Sequence, residues 1–263
     1  MKIKQIYTKC LSQASYFVES NGEAAVIDPI REVDQYMRMA KSMRCDIKYI
    51  FQTHFHADFV SGHLTLSKLT DAPIVYGPNA DPEYESIISN DGDIFKLGKV
   101  KFKIIHTPGH TLESCSYLLF DENNKSHSIF TGDTLFLGDV GIPDVAQRYK
   151  GTSKEELASI LYDSVNEKIK PLSDELIVYP GHGAGSACGK NMMKETVDIL
   201  KNQKEKNYAM NGKFNKPDFI KELTENLPEP PAYFPENVKL NQVGYLDFEI
   251  VLKNSLNKIA IDE

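Results

Sequence analysis

The sequence has no tryptophan and only four cysteines, which are Cys10, Cys45, Cys115 and Cys188. They are scattered along the chain and form no CxxC pair, so a disulfide framework is not expected. Isolated cysteines of this kind usually behave as small buried hydrophobic residues or inert surface thiols. The cysteines therefore indicate a fold that a hydrophobic core stabilises without covalent cross-links.

Positive charge and long apolar runs are also scarce. Lysine and arginine total 30 against 37 aspartates and glutamates, giving a formal net charge of -7, whereas nucleic acids and anionic membranes require a basic face. No apolar run approaches the roughly 18 residues that span a bilayer. The N-terminal MKIKQIYTKC alternates polar and apolar residues, unlike a signal peptide. We therefore expect a cytoplasmic protein that binds neither nucleic acid nor membrane.

The composition itself is that of a globular enzyme-sized protein. Of the 263 residues, 41% are hydrophobic and 25% are charged, both ordinary values. A chain of this length buries a large core, and 13 phenylalanines and 13 tyrosines supply its bulk.

Short strand-like runs dominate the first two thirds of the chain. IKQIYTK, SYFVES and EAAVIDP come first, and Asn21-Gly22 between the last two predicts a hairpin. A second hairpin is expected at Leu97-Gly98-Lys99. Two sets of strands occur, each followed by helical segments. This order predicts an α/β sandwich of two sheets covered by helices.

Helical spacing of apolar residues predicts helices over 33–44, 62–70, 153–169 and 190–207. Ser153 and Glu156 form a capping box at the start of the third. Prolines then accumulate over 217–239, which is typical of a linker. We therefore divide the chain into a catalytic domain, residues 1–215, and a proline-rich extension, residues 216–263, that is packed or partly ordered.

Several of the strand-like runs end in residues that bind metals. These are His54, His56 and Asp58 after IKYIFQ, His110 after FKIIHTPG, Asp133 after SIFTG and His182 after LIVYPG. Loops at the ends of buried strands often carry catalytic groups, because a rigid scaffold aims them. Glycine precedes three of the residues and permits a sharp turn at Gly109, Gly132 and Gly181. The combination predicts one centre assembled from several strand ends.

The remaining histidines are expected to be structural or solvated. His106 lies inside a predicted strand, His63 begins a helix and is expected to make a local hydrogen bond, and His127 follows the polar loop DENNK.

The motifs THFHADFVSG, HTPGHT, FTGD and YPGHG resemble, in order and over about residues 1–200, those of the metallo-β-lactamase superfamily. TGDTLFLGDVG-PD and YPGHGAGSACGKN are similar to segments of the persulfide dioxygenases within it. They are closest to the N-terminal module of bacterial persulfide dioxygenase–rhodanese fusions, whose rhodanese module is absent here. The resemblance implies an αββα sandwich of two mixed sheets, a homo-oligomer (dimer or tetramer) and a possible rhodanese partner.

The resemblance also implies three metal ligands, His54, His110 and Asp133. Two-metal hydrolases of the superfamily usually read HxHxDH, whereas Phe59 stands here after the aspartate and has no lone pair to offer. Two histidines and one carboxylate are the facial ligand set of non-haem Fe(II). We therefore expect one Fe(II) per chain, with Zn(II) possible in preparations, and His56, Asp58 and His182 as catalytic residues that orient ligands and substrate.

The expected reaction is oxidation of a small thiol persulfide by O₂ to sulfite and free thiol. Relatives commonly have arginine where this chain has Ile142, so a charged substrate anchor is missing, and Arg148 and Lys190 are candidates to replace it. Cys188 is expected near the mouth of the site, where a nearby cation favours its thiolate.

Two other functions stay open at this stage. A glyoxalase II-like thioester hydrolase would use one or two zinc ions to activate water, and retention of Asp58 and His182 favours it. A non-catalytic sulfur-binding scaffold for a sulfurtransferase is the second alternative, which the proline-rich tail suggests and the complete ligand set disfavours.

Overall fold

The computed structural model describes residues 1–144, 149, 151–227, 229–248 and 250–253. Two six-stranded sheets form its centre, and neighbouring strands in each sheet follow one another along the chain. The first sheet comprises β1 (Lys2–Thr8), β2 (Gln13–Ser20), β3 (Glu23–Ile27), β4 (Asp46–Phe51), β5 (Ile74–Tyr76) and β6 (Ile87–Ile88). The second comprises β7 (Ile94–Leu97), β8 (Val100–His106), β9 (Cys115–Phe120), β10 (Ser126–Gly132), β11 (Ile177–Pro180) and β12 (Asp198–Ile199).

Both sheets are mixed. In the first, β1, β2 and β3 are antiparallel, whereas β3 to β6 pair in parallel. In the second, only the β10–β11 pair is parallel. The two predicted hairpins are confirmed, and Asn21 and Gly22 have φ of 53° and 83°, the positive values that a two-residue type I′ turn requires.

Helices cover the outer face of each sheet. They are α1 (Asp34–Met43), α2 (His63–Thr70), α3 (Lys154–Asp163), α4 (Leu200–Lys206), α5 (Lys216–Thr224) and α6 (Phe234–Val243). One apolar cluster joins the first sheet to α1, α2 and α6, and another joins the second sheet to α3, α4 and α5. The expected αββα sandwich is confirmed.

An aromatic core holds the two sheets together. The ring of Phe51, from the first sheet, lies 5.0 Å from that of Phe102 and 4.7 Å from that of Tyr117, both from the second. Tyr16 and Phe130 make a similar edge-to-face contact at 5.0 Å. Such contacts add to the free energy of apolar burial, so the sandwich is a rigid frame for the loops at its edge.

Two expectations about the later part of the chain were wrong. Helix 190–207 is reduced to α4, because Ile199 pairs with Ile177 as β12 and the Asp139 carboxylate accepts the N–H groups of Lys190 and Asn191. The linker expected over 217–239 contains α5 and α6, and Pro217 and Pro235 lie in their first turns, where a missing N–H costs nothing.

The residues beyond 215 pack on both halves of the sandwich. Phe219 and Leu223 of α5 join the cluster under the second sheet, whereas Phe234 and Val238 of α6 join the one under the first. The extension is therefore part of the same apolar interior within the described residues. Among those residues, no helix is both long and apolar enough to cross a bilayer.

The predicted capping box is confirmed at the start of α3. The Ser153 hydroxyl accepts the Glu156 N–H at 3.1 Å, and the Glu156 carboxylate accepts the Ser153 N–H at 2.7 Å. The helix ends earlier than expected and continues as a π-helical turn over Ser164–Ile169.

Replacing Ser153 with alanine should lower the free energy of unfolding by about 1 kcal/mol, since one N–H at the helix start loses its acceptor. Urea denaturation measures the change. Ser159→Ala, in the middle of the same helix, is the control and should be neutral or slightly stabilising. Equal losses in both variants would contradict the capping role.

Candidate metal centre

Loops at one edge of the sandwich carry the predicted ligands. His54 follows β4, His110 follows β8, Asp133 directly follows β10 and His182 follows β11. All are at most 2% exposed. Their arrival from four strands of two sheets explains how residues 128 positions apart in sequence meet in one place.

Three of the residues form a first group. Nε2 of His110 lies 3.5 Å from Asp133 Oδ2, and Nε2 of His54 lies 3.9 Å from the same oxygen. The two imidazole rings are nearly perpendicular, with centroids 4.9 Å apart. Ligands of one ion stand roughly 3 to 4 Å apart, given bonds of about 2 Å. The predicted set of His54, His110 and Asp133 therefore has the spacing of a metal site.

A second group lies on the other side of Asp133. Its members, His56, Asp58 and His182, also offer ligand atoms within 4.8 Å of one another. His182 Nε2 is 3.6 Å from Asp58 Oδ2 and 3.6 Å from Asp133 Oδ1. The Asp133 carboxylate thus turns one oxygen toward each group.

The unpaired polar atoms of the centre fit a metal ion. Both oxygens of Asp133, both oxygens of Asp58 and both ring nitrogens of His182 are buried without a hydrogen-bond partner among the described residues. Buried charges are normally paired or bound to metal, because leaving them alone in a protein interior is costly. The donor set is of imidazoles and carboxylates, which suits zinc and iron.

Hydrogen bonds at the far side of the His54 and His110 imidazoles set the tautomers of these two rings. His110 Nδ1 lies 2.6 Å from the Ile142 carbonyl and must donate to it, so the neutral ring keeps its lone pair on Nε2, facing Asp133. Burial lowers the pKa of His110 and thereby favours that neutral ring. The Thr53 hydroxyl donates to Asp28, so it accepts from Nδ1 of His54 at 3.0 Å. Such contacts orient metal ligands.

His56 is turned toward a different partner. Its Nε2 lies 3.1 Å from Oδ1 of Asp28, a carboxylate that also accepts the Thr53 N–H. Burial opposes the charged imidazolium, but the carboxylate of Asp28 outweighs it and raises the pKa of His56. Both ring nitrogens of His56 nevertheless lack a hydrogen-bond partner among the described residues, and its ligand atom groups with those of Asp58 and His182 rather than with the first group.

Two glycines allow the loops to approach this closely. Gly132 has φ of 49°, and an added Cβ would lie 2.6 Å from Thr53. At Gly181 an added Cβ would lie 2.5 Å from Asp133 Oδ1. The sequence suggested a sharp turn at each position, and at Gly181 the reason is instead the close approach of the Asp133 side chain.

The fold and the site agree with what comparison with known proteins shows. The model of the metallo-beta-lactamase superfamily matches residues 8–182, which hold every residue of both groups. The chain belongs to the metallo-beta-lactamase superfamily. Its family and its donor set together imply a metal ion at the centre.

Members of the superfamily with different names resemble this chain. A metallo-beta-lactamase from Staphylococcus aureus subsp. aureus COL has a TM-score of 0.86 and 35% identity, covering 94% of this chain and 74% of that one. ETHE1 from Myxococcus xanthus has a TM-score of 0.76 and 29% identity, covering 92% and 100%. The hydroxyacylglutathione hydrolase of Dictyostelium discoideum is 32% identical over 222 residues, or 78% of this chain and 77% of that protein.

Of the three predicted substrate-binding residues, only Cys188 is seen next to the metal centre among the described residues. Arg148 lies outside the described residues. The Lys190 ammonium donates to the carbonyls of Glu222 and Glu225, so it is engaged by the end of α5. Cys188 is 1% exposed and lies beside Asp133 and His182. Burial, then the charges of Asp58 and Asp133, raises its thiol pKa well above the ordinary value, so the thiolate we predicted depends on the nearby cation.

Sequence reasoning missed residues that hold the ligands in place. Asp28 anchors Thr53 and His56, and the Ile142 carbonyl anchors His110. The side chain at Ile142 joins the apolar cluster under the first sheet, so its backbone serves the site. A buried aspartate directly after a strand, as in AVIDP, is the one available signal for Asp28.

Of the histidines outside the metal centre, His106 has the role predicted from the sequence and His63 does not. His106 Nε2 bonds to the Leu112 carbonyl at 3.0 Å, which confirms a structural role. The local hydrogen bond expected for His63 is wrong, because both ring nitrogens are buried without a hydrogen-bond partner among the described residues. Its ring instead packs against those of Tyr84 and Tyr245, at 5.2 and 5.4 Å.

Burial lowers the pKa of His63 to about 3, and this predicts an acid-sensitive fold. Below pH 6.5 the His63 imidazole binds a proton in the unfolded chain but stays neutral in the folded protein. The free energy of unfolding therefore falls as pH drops from 6.5 toward 3. Between pH 7.5 and 4.5 the loss from this residue should be about 2.5 kcal/mol. Urea denaturation of wild type and His63→Phe at both pH values measures this loss in the free energy of unfolding. If the variant lost as much stability between the two pH values as wild type does, the assignment to His63 would be contradicted.

Proposed function

We propose that this enzyme is a thiol persulfide dioxygenase that works with one Fe(II) per chain. The observation that carries the proposal is the grouping of His54, His110 and Asp133, whose ligand atoms all lie within 4.8 Å of one another. These three residues are the two-histidine, one-carboxylate set that non-haem Fe(II) oxygenases use. The similarity of the TGDTLFLGDVG-PD and YPGHGAGSACGKN segments to persulfide dioxygenases points the same way.

His54, His110 and Asp133 would hold the ion, with the lone pairs on Nε2 fixed by Thr53 and by Ile142. An Fe(II) ion there would supply the redox chemistry with O₂ that amino-acid side chains lack. The overall reaction takes a persulfide, O₂ and water to thiol, sulfite and two protons, with the outer sulfur oxidised and O₂ reduced.

The chain's other groups in the centre handle protons and exclude water. Burial raises the pKa of Asp58, which places that carboxyl where it can hold a proton beside His182, 3.6 Å away. The rings of Phe59 and Phe136 pack against His56 and His182, with centroids at 4.4 and 6.0 Å. A dry wall strengthens the electrostatic interactions within the site.

A zinc-dependent thioester hydrolase is the second candidate. The second group, of His56, Asp58 and His182, favours it, as does the name of the hydroxyacylglutathione hydrolase relative. A second metal ion there would help to generate hydroxide near neutral pH. The hydrolase would cleave the carbon–sulfur bond of a thioester, and the dioxygenase would oxidise the outer sulfur of a persulfide. Both substrates are derivatives of a thiol, so the two enzymes differ in metal and co-substrate more than in the thiol that carries the reacting group.

Reconstitution separates the two. Metal-free protein is loaded anaerobically with Fe(II) or with Zn(II). Each form is then offered persulfides of glutathione, coenzyme A and cysteine, with O₂ uptake recorded, and S-lactoylglutathione, with hydrolysis recorded. We expect persulfide-dependent O₂ uptake from the Fe(II) form alone, with one sulfite per O₂. Thioester hydrolysis by the Zn(II) form with no O₂ uptake by the Fe(II) form would replace the proposal with the second candidate.

Phe59→His tests whether the missing ligand sets the metal number. Residue 59 lies against His56, so a histidine there adds a nitrogen donor beside the second group. We expect one tightly bound metal per chain in wild type and close to two in the variant, measured by elemental analysis after dialysis. Phe59→Leu is the control and should keep one. Two metals per wild-type chain would contradict the mononuclear site.

A further inference from the structure

A cavity of about 710 Å³ reaches Phe59, next to the residues of the second group, and none of the candidate metal ligands lines it. Its walls include Leu11 from the β1–β2 turn and Tyr245 and Leu246 from the segment after α6. Phe59 and Val60 also line it, from the loop between β4 and α2 that carries His54, His56 and Asp58 and is called the ligand loop below. Most of the lining is apolar. The cavity is large enough for a small-molecule carrier group.

Two of these walls belong to the loops of the centre. The Phe59 ring lies 4.4 Å from the ring of His56. The β1–β2 turn is tied to the other loop, because the Gly183 N–H donates to the Ser12 carbonyl at 2.9 Å and Gln13 forms a bridge with His182. A molecule in the cavity would therefore contact the segment that follows His56 and the β1–β2 turn, which is hydrogen-bonded to the His182 segment.

Arg31 lines the cavity and is fixed there with one donor left over. Its Nη2 donates to the Leu246 carbonyl, and its guanidinium carbon stands 3.7 Å above the centre of the Tyr245 ring. Its Nη1 is buried and has no hydrogen-bond partner among the described residues. A buried N–H of a guanidinium without an acceptor is costly, and a carboxylate is the acceptor that suits its geometry best.

We propose that this cavity is the subsite for the carrier part of the thiol substrate, and that Arg31 binds a carboxylate of that carrier. The inference rests on the proposed function, in which a small thiol derivative is the substrate. It names a mostly apolar carrier with one anionic group. A single free guanidinium edge serves one carboxylate, and Glu32 in the same lining disfavours a polyanion.

The neighbouring cations do not compete for this role. On the other side of Arg31, a charged groove contains Arg38 and Lys68. Arg38 faces Asp34 at 4.0 Å, and Lys68 pairs with Asp247 at 2.8 Å. Among the described cations that line these two pockets, Arg31 is therefore the one with an unsatisfied donor.

Binding of two matched thiols tests the assignment. 6-Mercaptohexanoate and 6-mercaptohexanol differ only in the carboxylate, so any contact of the thiol with metal cancels in the ratio of their dissociation constants. Calorimetric titration of the Zn(II)-loaded protein needs no turnover. We expect wild type to prefer the acid by about tenfold to a hundredfold, the usual effect of a charge-assisted hydrogen bond. In Arg31→Gln the ratio should fall close to one, and in the control Arg38→Gln it should stay as in wild type.

A wild-type ratio near one, or a full preference for the acid in Arg31→Gln, would overturn the proposal. Because each ratio is taken within one variant, a partly unfolded sample does not mimic the effect. Should Arg31→Gln fail to fold, Arg31→Lys decides, since loss of the planar fork should lower the ratio severalfold and an unchanged ratio rejects the role. Preference for the acid without persulfide-dependent O₂ uptake would leave the subsite standing and reject the dioxygenase.

Discussion

Replacing Asp133 with asparagine is expected to abolish turnover, to remove the stabilisation that metal gives and to stabilise the metal-free protein. Its carboxylate faces both groups, with Oδ2 near His110 and His54 and Oδ1 near His182. Loss of a ligand should weaken metal binding by on the order of a hundredfold or more, beyond the effect of removing an outer partner. The metal-free variant should nevertheless unfold at a higher temperature than the metal-free wild type, because an unpaired buried charge has been removed.

Thermal unfolding with and without added Zn(II) or Fe(II) measures both effects, since a ligand that binds only the folded state raises the unfolding temperature. Asp139→Asn is the matched control. Asp139 is equally buried, but its carboxylate accepts the N–H groups of Val140, Lys190 and Asn191. That variant should be less stable without metal and should keep the metal-induced rise. If added metal raised the unfolding temperature of Asp133→Asn as much as that of wild type, Asp133 would not be a metal ligand.

Replacing Asn241 with alanine is expected to lower both stability and metal affinity. This buried side chain on α6 donates to the carbonyls of His56 and Phe59, both at 2.8 Å, and accepts the Ser61 N–H at 2.8 Å. Three buried backbone groups of the ligand loop would lose their partner, at a cost of about 3 to 5 kcal/mol in total. The loosened loop should bind metal about tenfold more weakly.

Two variants separate the loop effect from general instability. Leu223→Ala, in the cluster under the other sheet, should cost about 2 to 5 kcal/mol and leave metal affinity unchanged. Asn241→Asp keeps the acceptor for Ser61 but sets a carboxylate oxygen against the two carbonyls, so its metal affinity should be no higher than that of Asn241→Ala. Urea denaturation and zinc titration supply the two readings. Metal affinity that follows stability alike in Leu223→Ala and Asn241→Ala would reject a specific role for Asn241.

Local pattern predicted the architecture well where local contacts decide it. The turn at Asn21-Gly22 and the capping box of Ser153 depend on neighbours within three residues, and both are confirmed. The segment 190–207 fails because Ile199 is held by a strand that lies 22 residues earlier. A pairing of this kind leaves no trace in helical spacing.

The site shows the same division. Residue types and their places after strands predicted the residues of both groups, since histidine and aspartate at several strand ends have few other uses. The residues that aim them went unrecognised. Asp28 and Asn241 act on backbone groups and side chains 25 to 185 positions away, and no spacing rule connects them.

The sequence by itself determined which atoms are available to hold a metal: His54, His110 and Asp133 are present, and Phe59 stands where a further ligand would be. Only the tertiary structure decided how they are used. It turned His56 toward Asp28, gave Asp133 one oxygen for each group and brought α6 back across the ligand loop. The physical reason is that a side chain's direction depends on partners supplied by distant segments, and those meet only when the two sheets and their helices have packed together.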